Sequence, residues 1–301
     1  MNIAISGGTG LVGSALTGYF TAQGHHVYIL TRNTENKQNK ERITFVEWLG
    51  SSSAPEKELP NLDAVINLAG ASIQKRWTDD HKKAILQSRL SATEEIERII
   101  GAVPSKPEVL INASAVGYYG ISEEAVFTES SQPAERNFLQ EVSEQWEEKA
   151  RSVEKHGVRL VLARFGLILD GEEGAFPMMM LPYKLFAGGP IGNGRQWYSW
   201  IHLRDVVEMT AFAIETKKVT GPMNVTAPEP MRMDEFGRTL GTVMKRPHWL
   251  PVPGTALQKT LGEMSVLIVN GQKALPEKAL EAGYTFSYSK LKPALEDLVN
   301  K

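Results

Sequence analysis

Short apolar runs alternate with longer amphipathic stretches through the first half of the chain. The runs are rich in Val, Ile and Leu, and they occupy residues 3–5, 27–30, 64–69, 109–113 and 159–165. Stretches with helical spacing of apolar residues fill the gaps, at 13–23, 80–101 and 135–156. Continuously apolar strands separated by helices are typical of a parallel sheet covered on both faces. Right-handed crossovers then favour an α/β fold with a doubly wound sheet.

The pattern changes after residue 165. Residues 166–195 are rich in Gly, Pro and Met and predict loops with one helix at about 178–186. A further helix is predicted at 205–217, and prolines interrupt short elements from 222 onward. We therefore predict a larger α/β domain at 1–165, completed by about 200–222. A smaller C-terminal domain is predicted at 166–199 and 223–301.

Composition excludes several classes of protein. Of 301 residues, 42% are hydrophobic and 23% are charged, which is an ordinary globular balance and not a disordered one. The net charge of −2 gives no basic field for a nucleic-acid backbone. The chain has no cysteine, and its six histidines show no metal-ligand spacing, so we expect no metal site. No apolar run reaches the ~18 residues of a membrane span, and no secretory signal opens the chain, so we expect a cytoplasmic protein without a membrane partner.

A glycine-rich turn follows the first apolar run and opens the first helix. Residues 6–13 read SGGTGLVG, which satisfies both G-x-G-x-x-G and G-x-x-G-x-x-G. Glycine is needed here because a Cβ would hold a diphosphate away from the backbone amides at the helix N-terminus. A ligand-free tight turn is the alternative, but the position on the first strand of a βαβ pattern favours dinucleotide binding. The predicted contacts are Gly7, Gly10, Leu11, Val12 and Gly13.

The end of the second predicted strand bears on the choice of cofactor. NAD sites usually carry an acidic residue there, whereas this chain reads Thr31-Arg32-Asn33. A guanidinium matches a 2′-phosphate, so Arg32 favours NADP over NAD. The alternative interpretation of Arg32 is an ordinary surface arginine.

Together with these features, several longer motifs carry a family resemblance. Residues 113–120 read ASAVGYYG, residues 192–205 read GNGRQWYSWIHLRD, and residues 224–230 read NVTAPEP. With NLAG at 67–70, the chain from about 2 to 295 resembles the extended short-chain dehydrogenase/reductases of the NAD(P)-dependent epimerase/dehydratase superfamily. It is most similar to the atypical "epimerase family" subgroup, which has its own C-terminal domain. The resemblance implies a Rossmann sheet.

The resemblance also implies roles for individual residues. Asp63 corresponds to an acidic residue that hydrogen-bonds adenine. Leu68, Ala69 and Gly70 correspond to a turn that passes the cofactor riboses. Arg164 lies at a strand end that resembles the one beside the nicotinamide.

The usual catalytic pair of this superfamily is absent from the predicted helix. A Tyr-x-x-x-Lys pair normally moves the proton, because the lysine lowers the pKa of the tyrosine. Neither of the registers 138/142 and 139/143 contains it, and the match at Tyr288 lies too close to the C-terminus. We therefore name Ser114, Tyr118 and Tyr119 as candidate catalytic residues, with pocket lining as an equal alternative for the tyrosines. Glu147 is expected at the helix surface.

Two functions remain open at this point. The first is an NADP(H)-dependent oxidoreductase or epimerase acting on a carbonyl, hydroxyl or sugar-like small molecule, with Arg195 and Trp197 as candidate substrate contacts. The second is an NADP(H)-binding regulatory or scaffold protein that has lost the chemistry. A flavin- or NAD-binding protein is a weaker third alternative, and a homodimer is left open.

Overall fold

A seven-stranded parallel sheet forms the centre of the molecule. The computed structural model describes residues 1–50, 53–134 and 136–299. The sheet order is β3-β2-β1-β4-β5-β7-β11, and its six strand pairs are all parallel. The strands are β1 Asn2–Ser6, β2 His26–Thr31, β3 Ile43–Glu47, β4 Ala64–Asn67, β5 Val109–Ala115, β6 Val126–Phe127, β7 Arg159–Phe165, β8 Leu167–Leu169, β9 Trp197–Tyr198, β10 Trp200–His202, β11 Gly221–Val225, β12 Met231–Arg232 and β13 Lys273–Ala274. The helices are α1 Leu11–Ala22, α2 Asp79–Ala102, α3 Phe138–Arg151, α4 Phe176–Lys184, α5 Leu203–Glu215, α6 Met233–Met244, α7 Gly254–Leu261, α8 Val266–Val269, α9 Glu277–Glu281 and α10 Leu291–Val299.

Helices cover both faces of this sheet because successive side chains on each strand point to opposite sides. Ile3 and Ile5 of β1 belong to one core with residues of α1 and α5, whereas Ala4 belongs to a second core with residues of α2. This arrangement confirms the predicted α/β fold with a doubly wound parallel sheet. The strand order reverses between β1 and β4, which opens a crevice above their carboxyl ends.

A third core belongs to the smaller C-terminal region. It gathers aromatic and aliphatic side chains of α4, β10, α6 and α10, including Phe176, Trp200, Phe236 and Leu295. The division into a domain at 1–165, completed by about 200–222, and a smaller one from the remaining segments stays a prediction. Among the described residues, no helix has both the length and the apolar character needed to cross a membrane.

The predicted elements differ from the structure mainly at their ends and at the edges of the sheet. The helix predicted from residue 135, which lies outside the described residues, begins at Phe138 and passes at Ser152 into a 3-10 turn. The edge strands β3 and β11 were not predicted. β3 has only one fully buried residue, and β11 begins with Gly221 and Pro222, so neither presents a continuous apolar run.

Candidate functional site

The glycine turn between β1 and α1 has the geometry of an anion cradle. Gly7 has a φ of +70°, and the Gly10 amide donates to the Gly7 carbonyl at 3.1 Å. A Cβ on Gly13 would lie 2.3 Å from the Gly7 oxygen, so only glycine fits. α1 begins at Leu11 with no side-chain cap from Gly10, so the first-turn amides of Leu11 and Val12 receive no side-chain acceptor there. Uncapped amides at the positive end of a helix suit a diphosphate.

Arg32 and the glycine turn both lie at the carboxyl ends of the strands. β1 and β2 are parallel and pair Ser6 with Leu30, so the residues that follow both strands emerge side by side. Arg32 is exposed, and no hydrogen bond or ion pair joins its side chain to another described residue. Asn33 closes the next turn by accepting the Glu35 amide at 2.7 Å. A guanidinium in this place could hold a phosphate on the adenosine ribose.

Asp63 lies at the amino ends of the strands, whereas the glycine turn lies at their carboxyl ends. Its predicted contact with adenine is therefore wrong. Its carboxylate accepts the backbone amide of Asn2 at 2.6 Å, and its own amide donates to the Asn2 carbonyl. Both residues stand at the amino ends of β1 and β4. The length of β1, at about 3.3 Å per residue, separates Asp63 from the glycine turn.

The turn at Leu68, Ala69 and Gly70 is fastened to β1 by a buried serine. Ser6 Oγ accepts the amides of Leu68 at 3.1 Å and Ala69 at 3.3 Å, and donates to Asn67 at 2.6 Å. The turn is thereby fixed beside the glycine turn. A Cβ on Gly70 would lie 3.1 Å from the Arg89 guanidinium carbon.

Arg89 is a cation in this crevice that the sequence interpretation missed. Its guanidinium donates to the carbonyls of Ala71 and Ile85 and lies 4.9 Å from the centre of the Trp146 ring. It forms no ion pair with any described carboxylate, and burial lowers its pKa to about 10. A partly buried cation without a counter-ion is suited to an anionic ligand. Its position on α2, one turn from the buried residues Ile85 and Ala92, is the feature of the sequence that could have indicated a partly buried arginine.

A buried ion pair stands beneath Ser114 at the carboxyl end of β5. Glu147 of α3 accepts two hydrogen bonds from Arg164, at 2.7 and 2.8 Å. Ser114 Oγ donates to the same carboxylate at 2.7 Å. Glu147 is 2% exposed, so the expected surface position was wrong. The missed signal is a buried polar stripe on α3, formed by Gln140, Ser143 and Glu147.

Arg164 is committed to this network, which argues against direct cofactor binding by its side chain. It is 2% exposed, and a third hydrogen bond runs to the Tyr119 hydroxyl at 2.9 Å. Burial opposes its charge, but the hydrogen bonds and the negative charge of Glu147 outweigh burial and raise the pKa of Arg164. The predicted nicotinamide contact is therefore corrected to a buried support for Ser114 and Tyr119.

The two candidate tyrosines differ sharply in their surroundings. Tyr119 is fully buried, stacks on Phe127, and donates its hydroxyl hydrogen to Asn224 at 2.7 Å. Burial raises the pKa of Tyr119 to about 12, and its hydroxyl also accepts a hydrogen bond from Arg164. These contacts favour a structural role for Tyr119, and its catalytic role stays a prediction. Tyr118 is half-exposed, and its ring centre lies 3.5 Å from the Arg164 guanidinium carbon. Tyr118 keeps its place as a candidate residue of the pocket.

The predicted substrate contacts, Arg195 and Trp197, lie in a segment that forms ion pairs and a hydrogen bond with residues 123–124. Arg195 pairs with Glu123 at 3.2 Å and Glu124 at 3.1 Å, and because all three side chains are exposed these ion pairs are weak, so its substrate contact stays a prediction. Trp197 donates to the Glu123 carbonyl, and its ring contacts the cations of Arg232 and Lys273. These contacts explain Trp197 by packing, and its substrate role stays a prediction.

Fold and site together define a Rossmann-type dinucleotide-binding protein. Its glycine turn, Arg32 and Ser114 all lie at the carboxyl ends of the strands of one parallel sheet. The sequence profile of the NAD dependent epimerase/dehydratase family matches residues 3–226, and that of a domain of unknown function, DUF1731, matches residues 252–298. The chain belongs to the NAD-dependent epimerase/dehydratase family.

Relatives match over the whole length of the chain. Epimerase family protein YfhF of Bacillus subtilis is 53% identical over 299 residues, covering 99% of this chain and 98% of the relative. Epimerase family protein SAR0825 of Staphylococcus aureus is 42% identical, with the same coverage.

Solved structures agree with the fold. Human epimerase family protein SDR39U1, solved with NADPH, is 31% identical, has a TM-score of 0.87, and is matched over 100% of this chain and 99% of its own. UDP-glucuronic acid 4-epimerase from Bacillus cereus, solved with UDP-glucuronic acid and NAD, is 18% identical with a TM-score of 0.77. At that identity, the second likeness concerns the fold alone.

Proposed function

We propose that the protein binds NADP(H) and uses it in an oxidoreductase or epimerase reaction on a small molecule with a hydroxyl or carbonyl group. The observation that carries the proposal is the pair of arginines, Arg32 and Arg89, that flank the glycine turn without a carboxylate partner among the described residues. Arg89 beside Gly70 fits the diphosphate, and Arg32 at the tip of β2 fits a 2′-phosphate. The human relative solved with NADPH supports the same choice.

The residues around the glycine turn fit NADP(H). A Cβ on Gly10 would have only the Gly7 oxygen within 4 Å, at 3.5 Å, so this side of the turn is open to a diphosphate, while Gly7 and Gly13 let the turn pack closely on the protein. The turn at 68–70 would pass the riboses. NADP(H), when bound, supplies or accepts the hydride. The protein's own task is to orient the substrate and to handle the proton.

Ser114 is 3% exposed, so a substrate would have to reach its Oγ through that small surface, and Ser114 would act there as a hydrogen-bond acceptor. Its single hydrogen is donated to Glu147, so the lone pairs of Oγ remain for a partner that donates. A substrate hydroxyl is such a partner, whereas a substrate carbonyl is not. The network thus favours binding of the alcohol form of the substrate. The hydroxyl proton of Ser114 is directed toward Glu147. Arg164 holds that carboxylate in place through two hydrogen bonds.

The test begins with cofactor titration of the purified full chain. We expect NADPH to bind at least tenfold more tightly than NADH, on the order of 1.4 kcal/mol. Arg32→Ala should remove that preference, whereas Lys40→Ala, an exposed cation in the following loop, should leave it unchanged. Equal affinities for the two cofactors in the unmodified protein would contradict the assignment of NADP.

Turnover then decides between enzyme and scaffold. With a panel of alcohols and carbonyl compounds, Ser114→Ala should lower turnover at least tenfold while NADPH affinity stays the same. The scaffold alternative is favoured by the mutual hydrogen bonds of Ser114, Glu147, Arg164 and Tyr119, which form a closed structural network. Tight NADPH binding without turnover of any compound would support that alternative.

A further inference from the structure

Helix α4 is apolar on two opposite sides. Its inner side belongs to the core of the C-terminal region through Phe176, Met180 and Tyr183. Its outer side carries Met178, Leu181 and, just past the helix end, Leu185, with exposed fractions of 69%, 45% and 68%. The nine residues of α4 include only one charged side chain, Lys184. A helix that is apolar all round normally has apolar surroundings on every side, and here one side faces solvent.

A second segment extends this apolar surface. The Trp249 indole N–H donates to the Phe186 carbonyl at 2.9 Å, and the amides of Trp249 and Leu250 both donate to Gly188. Phe186, Trp249 and Leu250 are 56%, 64% and 42% exposed. We use the term apolar patch for Met178, Leu181, Leu185, Phe186, Trp249 and Leu250. These backbone hydrogen bonds fix the 246–250 segment against the end of α4.

The apolar patch has a basic rim. Lys184 and Lys245 are exposed, and the Arg246 guanidinium lies 4.3 Å from the centre of the Phe186 ring. The two segments that form the patch, residues 174–204 and 236–262, contain no Asp or Glu. Asp234, outside these segments in the sequence, reaches His248 at 3.0 Å and Arg238 at 2.8 Å. Lys184, Lys245 and Arg246 have no carboxylate partner among the described residues, so they are the cations that give the rim its charge. The chain as a whole has a net charge of −2, so the local charge is opposite to the global one.

We infer that the apolar patch docks on the surface of an anionic lipid bilayer. Exposed Trp and Phe beside aliphatic side chains suit the boundary between headgroups and acyl chains, and Lys and Arg attract anionic headgroups. A second copy of the chain fits less well, because a symmetric contact would bring two like-charged rims together. The contact is with the surface only, since a nine-residue helix spans less than half of the hydrocarbon layer. It revises the sequence expectation that the protein has no membrane partner.

The experiment is flotation of the full chain with vesicles. One set contains phosphatidylglycerol and phosphatidylcholine, and the other contains phosphatidylcholine alone. We expect binding to the first set and at least tenfold weaker binding to the second, with a decline as salt rises. The double variant Leu185→Ser, Trp249→Ser should reduce binding at least tenfold, and Lys184→Glu, Lys245→Glu should abolish the dependence on phosphatidylglycerol.

Matched controls lie elsewhere on the surface. Leu280→Ser changes a leucine that is 48% exposed, and Lys57→Glu changes an exposed lysine, so both should bind as the unmodified protein does. NADPH affinity serves as the readout of correct folding in every variant. No binding of the unmodified protein to phosphatidylglycerol vesicles, or equal binding of the patch variants, would overturn the inference. A concentration-dependent dimer that the Leu185→Ser, Trp249→Ser variant dissociates would assign the patch to a second copy instead, and would also overturn it.

Discussion

Arg89 and Arg164 are both partly or fully buried, but their positive charges have different partners. Arg164 faces a carboxylate, with which it shares two hydrogen bonds, so its charge is balanced inside the fold. Arg89 has carbonyl oxygens and an aromatic ring as partners, so its charge is only partly compensated. Burial lowers the pKa of Arg89 for this reason. The difference separates a structural arginine from one prepared for a ligand.

Replacement of Arg89 should therefore weaken the cofactor complex more than the fold. Arg89→Met keeps the aliphatic stem but removes the cation, and we expect NADPH affinity to fall at least tenfold, about 1.5–3 kcal/mol for a charged hydrogen bond. The free energy of unfolding without cofactor should fall by about 1 kcal/mol or less, because no carboxylate loses its partner. Titration calorimetry and denaturant unfolding measure the two quantities. The hypothesis fails if Arg89→Met binds NADPH normally, and Arg89→Lys should recover part of the affinity.

At the scale of single elements, α1 shows how one helix serves both packing and binding. Its first turn approaches β1 so closely that Gly13 has no room for a Cβ, whereas Gly18, farther along the helix, has nothing within 4 Å of the same position. The close approach brings the helix N-terminus to the ends of the strands. Of these two glycines of one helix, Gly13 is required by its surroundings and Gly18 is not.

This contrast gives a matched pair of variants. In Gly13→Ala the new methyl would meet the Gly7 oxygen and the Gly8 Cα, so we expect a loss of about 1–3 kcal/mol of stability and a loss of NADPH binding by tenfold or more. Gly18→Ala should leave binding unchanged and raise stability by up to ~1 kcal/mol, since alanine favours the helix. Thermal unfolding and NADPH titration check both variants. Normal cofactor binding by Gly13→Ala would contradict the proposed role of the turn.

The elements that the sequence predicts well are those whose signal is local. Central strands such as β1 and β7 are apolar on both sides, and the glycine turn is required by backbone geometry, so both can be found in one short window. The strands β3 and β11 lie at the edges of the sheet and have weaker patterns. Glu147 could not be placed, because its partner Arg164 reaches it only through the packing of α3 on the sheet. Asp63 precedes β4, at the end of the strand away from the glycine turn, so its assignment to adenine rested on the resemblance and not on its position.

At the scale of the whole molecule, many tyrosines sit in surroundings that disfavour their ionised form. Burial raises the pKa of Tyr119 and of Tyr183 to about 12, and burial also raises the pKa of Tyr28, Tyr198 and Tyr284. Each of these hydroxyls binds its proton more tightly in the folded chain than in the unfolded one. The effect is spread over all three cores and belongs to the fold as a whole.

The fold should therefore lose stability at high pH. The contribution of these tyrosines is fully present below pH 10, the ordinary value, and is lost as the pH rises toward 12, because the unfolded chain releases its protons first. We expect denaturant midpoints to fall across this range, together with a delayed rise of tyrosinate absorbance in the folded protein. In the Tyr119→Phe variant, the denaturant midpoint should fall less over this pH range than in the unmodified protein, each measured relative to its own value at neutral pH. A midpoint that stays constant up to pH 12 would contradict this account.

The link between Tyr119 and Asn224 has a consequence for how the molecule is assembled during synthesis. Asn224 lies 105 residues after the tyrosine whose hydroxyl it accepts, and its own side chain donates to the Leu275 carbonyl. The glycine turn is complete once the first strands and helices have left the ribosome. The hydrogen bonds that support Ser114 through Arg164 and Tyr119 are complete only when the last quarter of the chain, with Leu275, has been made. A growing chain thus contains its glycine turn well before it contains the full network beneath Ser114.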